Sequence, residues 1–451
     1  MQNWDGKIHY ITKTGQFKIG LLPKVYDMCI GMGIKPKVVD MRQPLPKVSK
    51  VVTNIGKYKL RPEQEKAVKA VINNKIGNTP FHIGVLDYTV NAGKTLIMSS
   101  LYLSYKKQLK TLLITNDSDW LNQAREEFKQ YLPGEDITFV QGKVLNWSNF
   151  TIGMVQSISR NMRFYQKELS QIDMVLVDEA DQGGSKQYQN VITRLFNTRI
   201  RIGLSGTIYM SKLAKDKVKN MNLECFFGKV IAEFKLKDSI KKGYSTKTVV
   251  KMVPGKPWYG NWESDCISYK GIYDDSITNC YTAWLMAYNR LLWNLNQGRY
   301  PALVVCKHIA HCENLYKFFK KKLGDAYNIA YVHVNTPSKL RQQIMRDFRE
   351  GKIDILVSTT IIARGKNFPK LRYLLNAASM DSQEKSIQFL GRLVRTDKSK
   401  KKVYLDDLHY PGPYLDRHGK HRKQYYQRQE LKVILLDKLW KKHPNHSLIK
   451  S

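Results

Sequence analysis

Short apolar runs of strand length recur along this chain, each followed by a longer amphipathic stretch. That alternation is the mark of βαβ units built on a parallel sheet. Thr111 to Thr115, Phe150 to Val155, Met174 to Asp178 and Arg201 to Ser205 form one series. Ala302 to Cys306, Ile329 to Val334, Ile353 to Ser358 and Tyr373 to Ala377 form a second. The pattern predicts an α/β fold with two domains in tandem. Between the two series lies a turn-rich aromatic stretch around Trp258, Tyr259 and Trp262, then a helical pattern from Ser276 to Asn296. A small α+β module is expected over 1–46, a first α/β domain over 47–234, a connector with the second over 235–408, and a basic extension over 409–451.

The charge narrows the partners. With 75 Lys and Arg against 38 Asp and Glu, the net charge is +37 over 451 residues, too large an imbalance for surface variation and suited to a polyanion. Hydrophobic residues at 42% and charged residues at 25% are ordinary globular values, which excludes wholesale disorder or a coiled coil. The chain carries neither a run as long as a spanning helix nor a charged-then-apolar N-terminal signal, so no membrane partner and a cytoplasmic setting, in a bacterial or phage-infected cell, are expected. Six unevenly spaced cysteines fit reduced thiols. Cys306, His308, His311 and Cys312 fall within seven positions, but they span a strand end and a helix start, a poor arrangement for one tetrahedral zinc ion.

Tyr88-Thr89-Val90-Asn91-Ala92-Gly93-Lys94-Thr95 follows the apolar run Ile83 to Leu86 and precedes an apolar helical pattern. A Gly-Lys-Thr at a helix start offers backbone N–H groups to phosphates, the Lys94 ammonium to the β and γ phosphates, and the Thr95 hydroxyl to Mg²⁺. The match has two oddities: Tyr88 stands at the usual first Gly or Ala, and Asn91 at a common mid-loop Gly. Farther on, Met174 to Val177 ends in Asp178-Glu179-Ala180-Asp181. There Asp178 can hold Mg²⁺ and Glu179 can polarise an attacking water. Arg392 and Arg395, three apart in a helical pattern, would share a face and reach a phosphate.

In this order the motifs resemble those of superfamily 2 helicases and translocases, whose two RecA-like domains clamp ATP between them. The resemblance implies two tandem RecA-like parallel-sheet domains with ATP and Mg²⁺ as cofactors. It assigns Arg61 and Gln64 to the nucleotide base, Asn91, Ala92, Gly93, Lys94 and Thr95 to the phosphates, and Thr95 and Asp178 to Mg²⁺. Ser205-Gly206-Thr207 is similar to the family's Ser-Ala-Thr coupling motif. Ser358-Thr359-Thr360 to Arg364-Gly365-Lys366-Asn367 looks like motif V, with Thr359 on the nucleic acid and Gly365 toward the nucleotide. Gln388 to Arg395 looks like motif VI, with Gln388, Arg392 and Arg395 catalytic. Asn116, where the family usually has Pro, ends a strand that resembles the one gripping nucleic-acid phosphates.

Within that superfamily the layout resembles the phage UvsW-type branch-migration helicases. The resemblance rests on Trp4 to Ile8 with Gly20-Leu21-Leu22, on Gly228-Lys229-Val230 to Lys242-Gly243-Tyr244, and on Leu405-Asp406-Asp407 with His421 to Tyr426. It implies forked or branched DNA and single-stranded DNA as substrates, with strand annealing, fork regression or junction migration as the outcome and a monomer as the working form. Trp258, Tyr259 and Trp262 could form a stacking wedge or pack beneath a turn. Tyr425 and Tyr426 are expected to pack onto the second domain, leaving Arg422, Lys423 and Arg428 toward solvent or DNA. Two other readings stay open: an RNA-directed helicase, and a DNA-annealing scaffold with a vestigial ATPase.

Overall fold

The computed structural model describes residues 8–105, 107–116, 118–142, 144–208, 214–255, 268–363 and 368–436. The chain divides after Lys235 into two compact units.

The first unit carries an eight-stranded sheet. Its elements are α1 (Leu22–Gly31), α2 (Pro62–Ile72), β1 (Ile83–Tyr88), α3 (Lys94–Ser104), β2 (Thr111–Thr115), α4 (Ser118–Tyr131), β3 (Ile137–Gln141), β4 (Val144–Leu145), β5 (Phe150–Met154), β6 (Met174–Asp178), β7 (Ile200–Ser205), α5 (Ala214–Phe227) and β8 (Val230–Phe234). The strand order is β8-β1-β7-β6-β2-β5-β3-β4, parallel throughout except for the β3–β4 edge pair. Strands β1, β2, β6 and β7 are buried at every position, as their continuous apolar runs require when helices cover both faces. Every strand read in this part of the sequence is present within a residue or two of its expected bounds.

Residues 8–46 do not form a separate sheet: among the described residues they hold one isolated bridge, Ile11 to Phe17, a 3-10 turn at Ile19–Leu21 and α1. So short a segment cannot bury a core alone. Instead Ile19, Leu22, Tyr26 and Val38 cover Ile76, Phe81 and Ile83 of the first unit. A Cβ at Gly20 would lie 2.1 Å from the Glu224 carbonyl oxygen, so only glycine allows this approach to α5.

The second unit contains β9 (Lys247–Pro254), α6 (Tyr281–Leu295), β10 (Ala302–Cys306), α7 (Ile309–Leu323), β11 (Ile329–Val332), α8 (Ser338–Glu350), β12 (Ile355–Thr359), β13 (Tyr373–Asn376), α9 (Gln383–Leu393), β14 (Lys402–His409), α10 (Leu415–Arg428) and β15 (Val433–Leu435). Its seven strands run in the order β11-β12-β10-β13-β14-β9-β15, all parallel. Two sequence expectations change here. Residues 247–254, read as connector, are a strand paired along its whole length with β14. The expected C-terminal extension is part of the domain, because α10 buries a face against the sheet and β15 adds its last strand.

Consecutive strand residues face opposite sides of a sheet, and β14 uses this at its two adjacent acids. Asp406 accepts from Arg290 of α6 at 2.6 and 2.9 Å. Asp407 is held by Arg422 of α10, with contacts of 2.8 to 3.0 Å. Each carboxylate thus ties a different helix to a different face.

His311, on α7, is fully buried with its Nδ1 3.0 Å from Tyr273 Oη. Burial, with His308 nearby, pushes its pKa down to about 3, while burial raises that of Tyr273. The neutral ring therefore accepts from a protonated phenol. An imidazole that titrates near 6.5 when unfolded but near 3 when folded binds fewer protons in the native state. Its contribution is intact above pH 6.5 and is lost as the pH falls from there toward 3, at ~1.4 kcal/mol per pH unit. Urea unfolding between pH 7 and 5 is expected to show a shallower loss for His311→Gln than for wild type by about that slope; equal slopes would refute the assignment.

Candidate active site

In the first unit β1 runs into the loop 89–93, and α3 starts at Lys94. Asn91 has φ 66° and Gly93 φ 73°. These left-handed positions turn the loop back over the start of α3, and asparagine tolerates that conformation better than most side chains. Asn91 is thus a workable substitute for the common mid-loop glycine. Tyr88 is fully buried, donates from Oη to the Glu63 carbonyl at 2.8 Å and rests near the Phe234 ring. It braces the loop's entry against α2 and β8.

Gln64, expected at the nucleotide base, is also wholly buried, and the chain itself engages both ends of its amide. Nε2 donates to the Ala92 carbonyl at 2.8 Å, and Oε1 accepts from the Arg61 N–H at 2.8 Å. A Cβ on Gly93 would sit 2.3 Å from Gln64 Nε2, so this glycine is required by contact as well as by φ. Lys94 Nζ is held loosely, 3.4 Å from the Tyr88 carbonyl and 3.5 Å from that of Thr89. Among the described residues the Thr89 hydroxyl is buried without a partner.

The acidic motif leaves β6 at the edge facing this loop. Asp178 is buried, while Glu179 is half-exposed with φ 52° and ψ 47°, a strained conformation of the kind found at active sites. Asp181 accepts from the Ser205 hydroxyl at 2.9 Å, and Ser205 Oγ in turn receives the Thr207 N–H at 3.0 Å. The acidic motif and the Ser-Gly-Thr motif are therefore one hydrogen-bonded unit. A Cβ at Gly206 would lie 3.0 Å from both Thr89 Cα and the Tyr88 carbonyl oxygen. Glycine in place of the family's usual alanine lets this segment pack directly on the phosphate loop.

Asn116, half-buried at the end of β2, donates from Nδ2 to Gln182 Oε1, and its backbone carbonyl accepts from Gln156. Sequence reasoning missed Gln182, which follows the acidic motif directly. It also missed Asp87, buried on β1 and paired with Lys235 at 2.5 Å; burial raises its carboxyl pKa. The signal was a lone carboxylate in the apolar run Ile83 to Tyr88.

In the second unit Thr359 is buried at the end of β12, and its carbonyl accepts from the Ser358 hydroxyl at 2.9 Å. Ser382 caps α9, its Oγ accepting from the Lys385 N–H, and the Lys385 ammonium donates to Thr360 Oγ1 at 3.1 Å. Motif V is thereby tied to the start of motif VI. Gln388 donates to Glu384 at 3.2 Å, and Arg392 is half-exposed in the last turn of α9. Arg395 lies two residues past the end of α9, which closes at Leu393 with Val394 as its cap, and the Arg395 carbonyl accepts from Thr246 Oγ1.

Arg422 is not a surface residue. It is wholly buried against Asp407 and also donates to the Met380 and Leu408 carbonyls. Lys423 beside it is half-exposed. Tyr425 and Tyr426 are buried on the second domain, as expected. Gly365 and the Arg364 to Asn367 segment, Trp258, Tyr259 and Trp262, and Trp4 to Lys7 lie outside the described residues. No helix among the described residues is long and apolar enough to cross a membrane.

The loop fits a nucleotide's phosphates: it has two left-handed positions, an orphaned buried hydroxyl, and a helix start whose first N–H groups lack intrahelical acceptors.

Comparison with known proteins agrees with the motifs. The family described as type III restriction enzyme, res subunit, matches residues 57–210, and the helicase conserved C-terminal domain matches residues 285–397. The chain is 22% identical over 436 residues to the ATP-dependent DNA helicase UvsW of enterobacteria phage T4, covering 90% of this chain and 82% of that one. A protein provisionally named helicase 22, from Sulfolobus islandicus filamentous virus, is 22% identical over 78% of this chain; the chain spans 64% of its length. It spans 51% of a similarly provisional helicase of Saccharomyces cerevisiae, IRC3, at 22% identity over 77% of this chain. The ATP-dependent RNA helicase RhlB of Shewanella woodyi is 32% identical over 111 residues, 24% of either chain. Among solved structures, the type ISP restriction-modification enzyme LlaBIII bound to DNA superposes with TM-score 0.61 at 15% identity, over 85% of this chain and 32% of that one. Dbp5 of S. cerevisiae bound to RNA gives 0.54 at 14% identity, over 84% and 94%.

Proposed function

We propose that this chain, a superfamily 2 helicase ATPase that resembles UvsW, remodels forked or branched DNA as it moves along one strand. The observation that carries the reading is the span of likeness: 90% of the chain aligns with the T4 DNA helicase, whereas the RhlB RNA helicase aligns over 24%. The +37 charge supports tight, salt-sensitive and largely sequence-independent binding.

In this reading the amides of Asn91 to Thr95 and the Lys94 ammonium hold the phosphates of ATP, while Thr95 and Asp178 hold Mg²⁺. Bound there, the ion neutralises phosphate charge. Gln64 and Arg61 set the loop's position from α2. Glu179 takes the proton of the attacking water, and Arg392 supplies the guanidinium for charge developing in phosphoryl transfer. The Ser205–Asp181 bond joins nucleotide state to the Ser-Gly-Thr segment and, through Gln182, to Asn116. Asn116 and Thr359 contact the strand. The protein works as a monomer.

Steady-state ATP hydrolysis by wild type and Lys94→Ala, with single-stranded, duplex, forked and four-way DNA and with RNA, tests this. The expected result is strongest stimulation by branched DNA, abolished by the substitution. Stimulation chiefly by RNA would move the chain to RNA substrates. Tight DNA binding without Lys94-dependent hydrolysis would make it an annealing scaffold.

A further inference from the structure

On the Asp406 face of the second unit, away from the face that carries α10, cations crowd around two aromatic rings. Lys251 Nζ lies 4.8 Å from the Trp293 centroid. The guanidinium carbons of Arg290 and Arg299 lie 5.0 and 4.8 Å from the same ring. Arg299 also stacks 3.6 Å over Tyr404, and Lys402 Nζ lies 5.7 Å from that ring.

One carboxylate, Asp406, serves this group, and its Oδ2 is already occupied by Arg290, by Asn294 at 3.1 Å and by Tyr373 at 3.1 Å. Among the described residues Lys251, Arg299 and Lys402 have no carboxylate within salt-bridge distance. Lys402 is exposed and Lys251, Trp293, Arg299 and Tyr404 are half-exposed. Burial, the guanidiniums and Lys402 hold the Lys251 ammonium below its usual range, with Asp406 opposing. The fold thus keeps like charges together against their repulsion, with aromatic faces as their main support. Arg299 Nη1 donates to the buried Asn294 Oδ1 at 2.9 Å, and the remaining edge of a guanidinium stacked on a ring suits a phosphate.

The patch is set apart from Thr359, the strand-contacting residue of its own unit. Arg299 lies three residues before β10 and Lys402 opens β14, at the N-terminal ends of the parallel strands, while Lys251 lies midway along β9. Thr359 and Ser382 lie at or beyond the C-terminal ends.

We propose that Lys251, Arg299 and Lys402 form an auxiliary contact for the phosphate backbone of duplex DNA, separate from the strand-tracking surface. The inference rests on the DNA reading above. A DNA arm is favoured over other polyanions because the donors are several, at least partly exposed and spread over two strands and a loop, as sequence-independent backbone binding requires.

The test is the salt dependence of binding of a fluorescent duplex DNA by the full chain. For B-DNA each neutralised phosphate contributes about 0.9 to the slope of log K against log salt. Lys251→Gln/Arg299→Gln/Lys402→Gln is expected to reduce the slope by about 3 and the affinity at moderate salt by at least about tenfold. The single change Lys402→Gln, at an exposed position where folding is safe, is expected to reduce the slope by about 1. An unchanged slope in a folded Lys402→Gln protein would overturn the proposal. Failure of wild type to bind any DNA would instead overturn the DNA reading itself.

Discussion

Glu179→Gln is expected to lower ATP turnover by about 10²–10⁴-fold, the usual contribution of a positioned general base, which corresponds to ~3–5 kcal/mol of barrier. Three of the four residues in the acidic motif have other work or no chemistry. Asp178 is buried at the strand end and is the assigned Mg²⁺ ligand, Ala180 is apolar, and Asp181 is engaged by Ser205 at 2.9 Å. Glu179 is the half-exposed carboxylate, at the point where the chain leaves β6 in a left-handed turn. Glutamine keeps the shape and adopts the same backbone with the same strain, so the fold is expected to survive. The change removes only the capacity to take a proton. Phosphate-release kinetics should therefore show the loss in kcat, while binding of a fluorescent ATP analogue and of DNA is retained. Wild-type turnover in Glu179→Gln would place the base elsewhere.

The strands were legible because fully buried parallel strands read as largely apolar runs, and β2, β6 and β10 are of that kind. The phosphate loop and acidic motif were legible because their chemistry fixes residue types at fixed spacing. Less visible were features whose meaning depends on a distant partner. Tyr88 and Gly206 look like unrelated departures in sequence, yet a Cβ at 206 would crowd the Tyr88 carbonyl oxygen at 3.0 Å, a contact that glycine avoids. Arg395 was placed on a helix because its spacing from Arg392 is helical, but α9 ends two residues too soon. Strand β14 was not read as a strand, because Asp406 and Asp407 break its apolar run and are buried only where each acid is paired with an arginine on its own face of the sheet. In α10 the signal was present and outweighed: Leu415, His418, Gly419, Arg422, Tyr425 and Tyr426 fall at helical spacing and are all buried. Arg422 occupies the middle of that stripe, although it was expected on the face turned to solvent or DNA.

Arg422→Ala is accordingly expected to destabilise the second unit by about 3–5 kcal/mol, the typical result of breaking a buried ion pair from one side. Both partners have fully buried side chains. With the guanidinium gone, Asp407 keeps the Tyr426 hydroxyl and the Asn376 amide, each at 2.8 Å, but a buried carboxylate loses the cation paired with it. The Met380 and Leu408 carbonyls lose their donors as well. Arg422→Lys should recover little, since one ammonium cannot serve a carboxylate and two carbonyls lying in different directions. Domain stabilities are typically about 5–15 kcal/mol, so the loss would bring the second unit close to unfolding at moderate temperature. Because a chain of two units need not unfold in one step, the measurement is the thermal transition of the second unit, resolved by calorimetry or by protease sensitivity. Lys423→Ala, one residue along and half-exposed, should shift that transition by no more than about 0.5 kcal/mol. If Arg422 instead contacted DNA, Arg422→Ala would melt with wild type and lower the salt slope of DNA binding by about 1. An unmoved transition would thus return Arg422 to the surface and dissolve the link between α10 and the sheet.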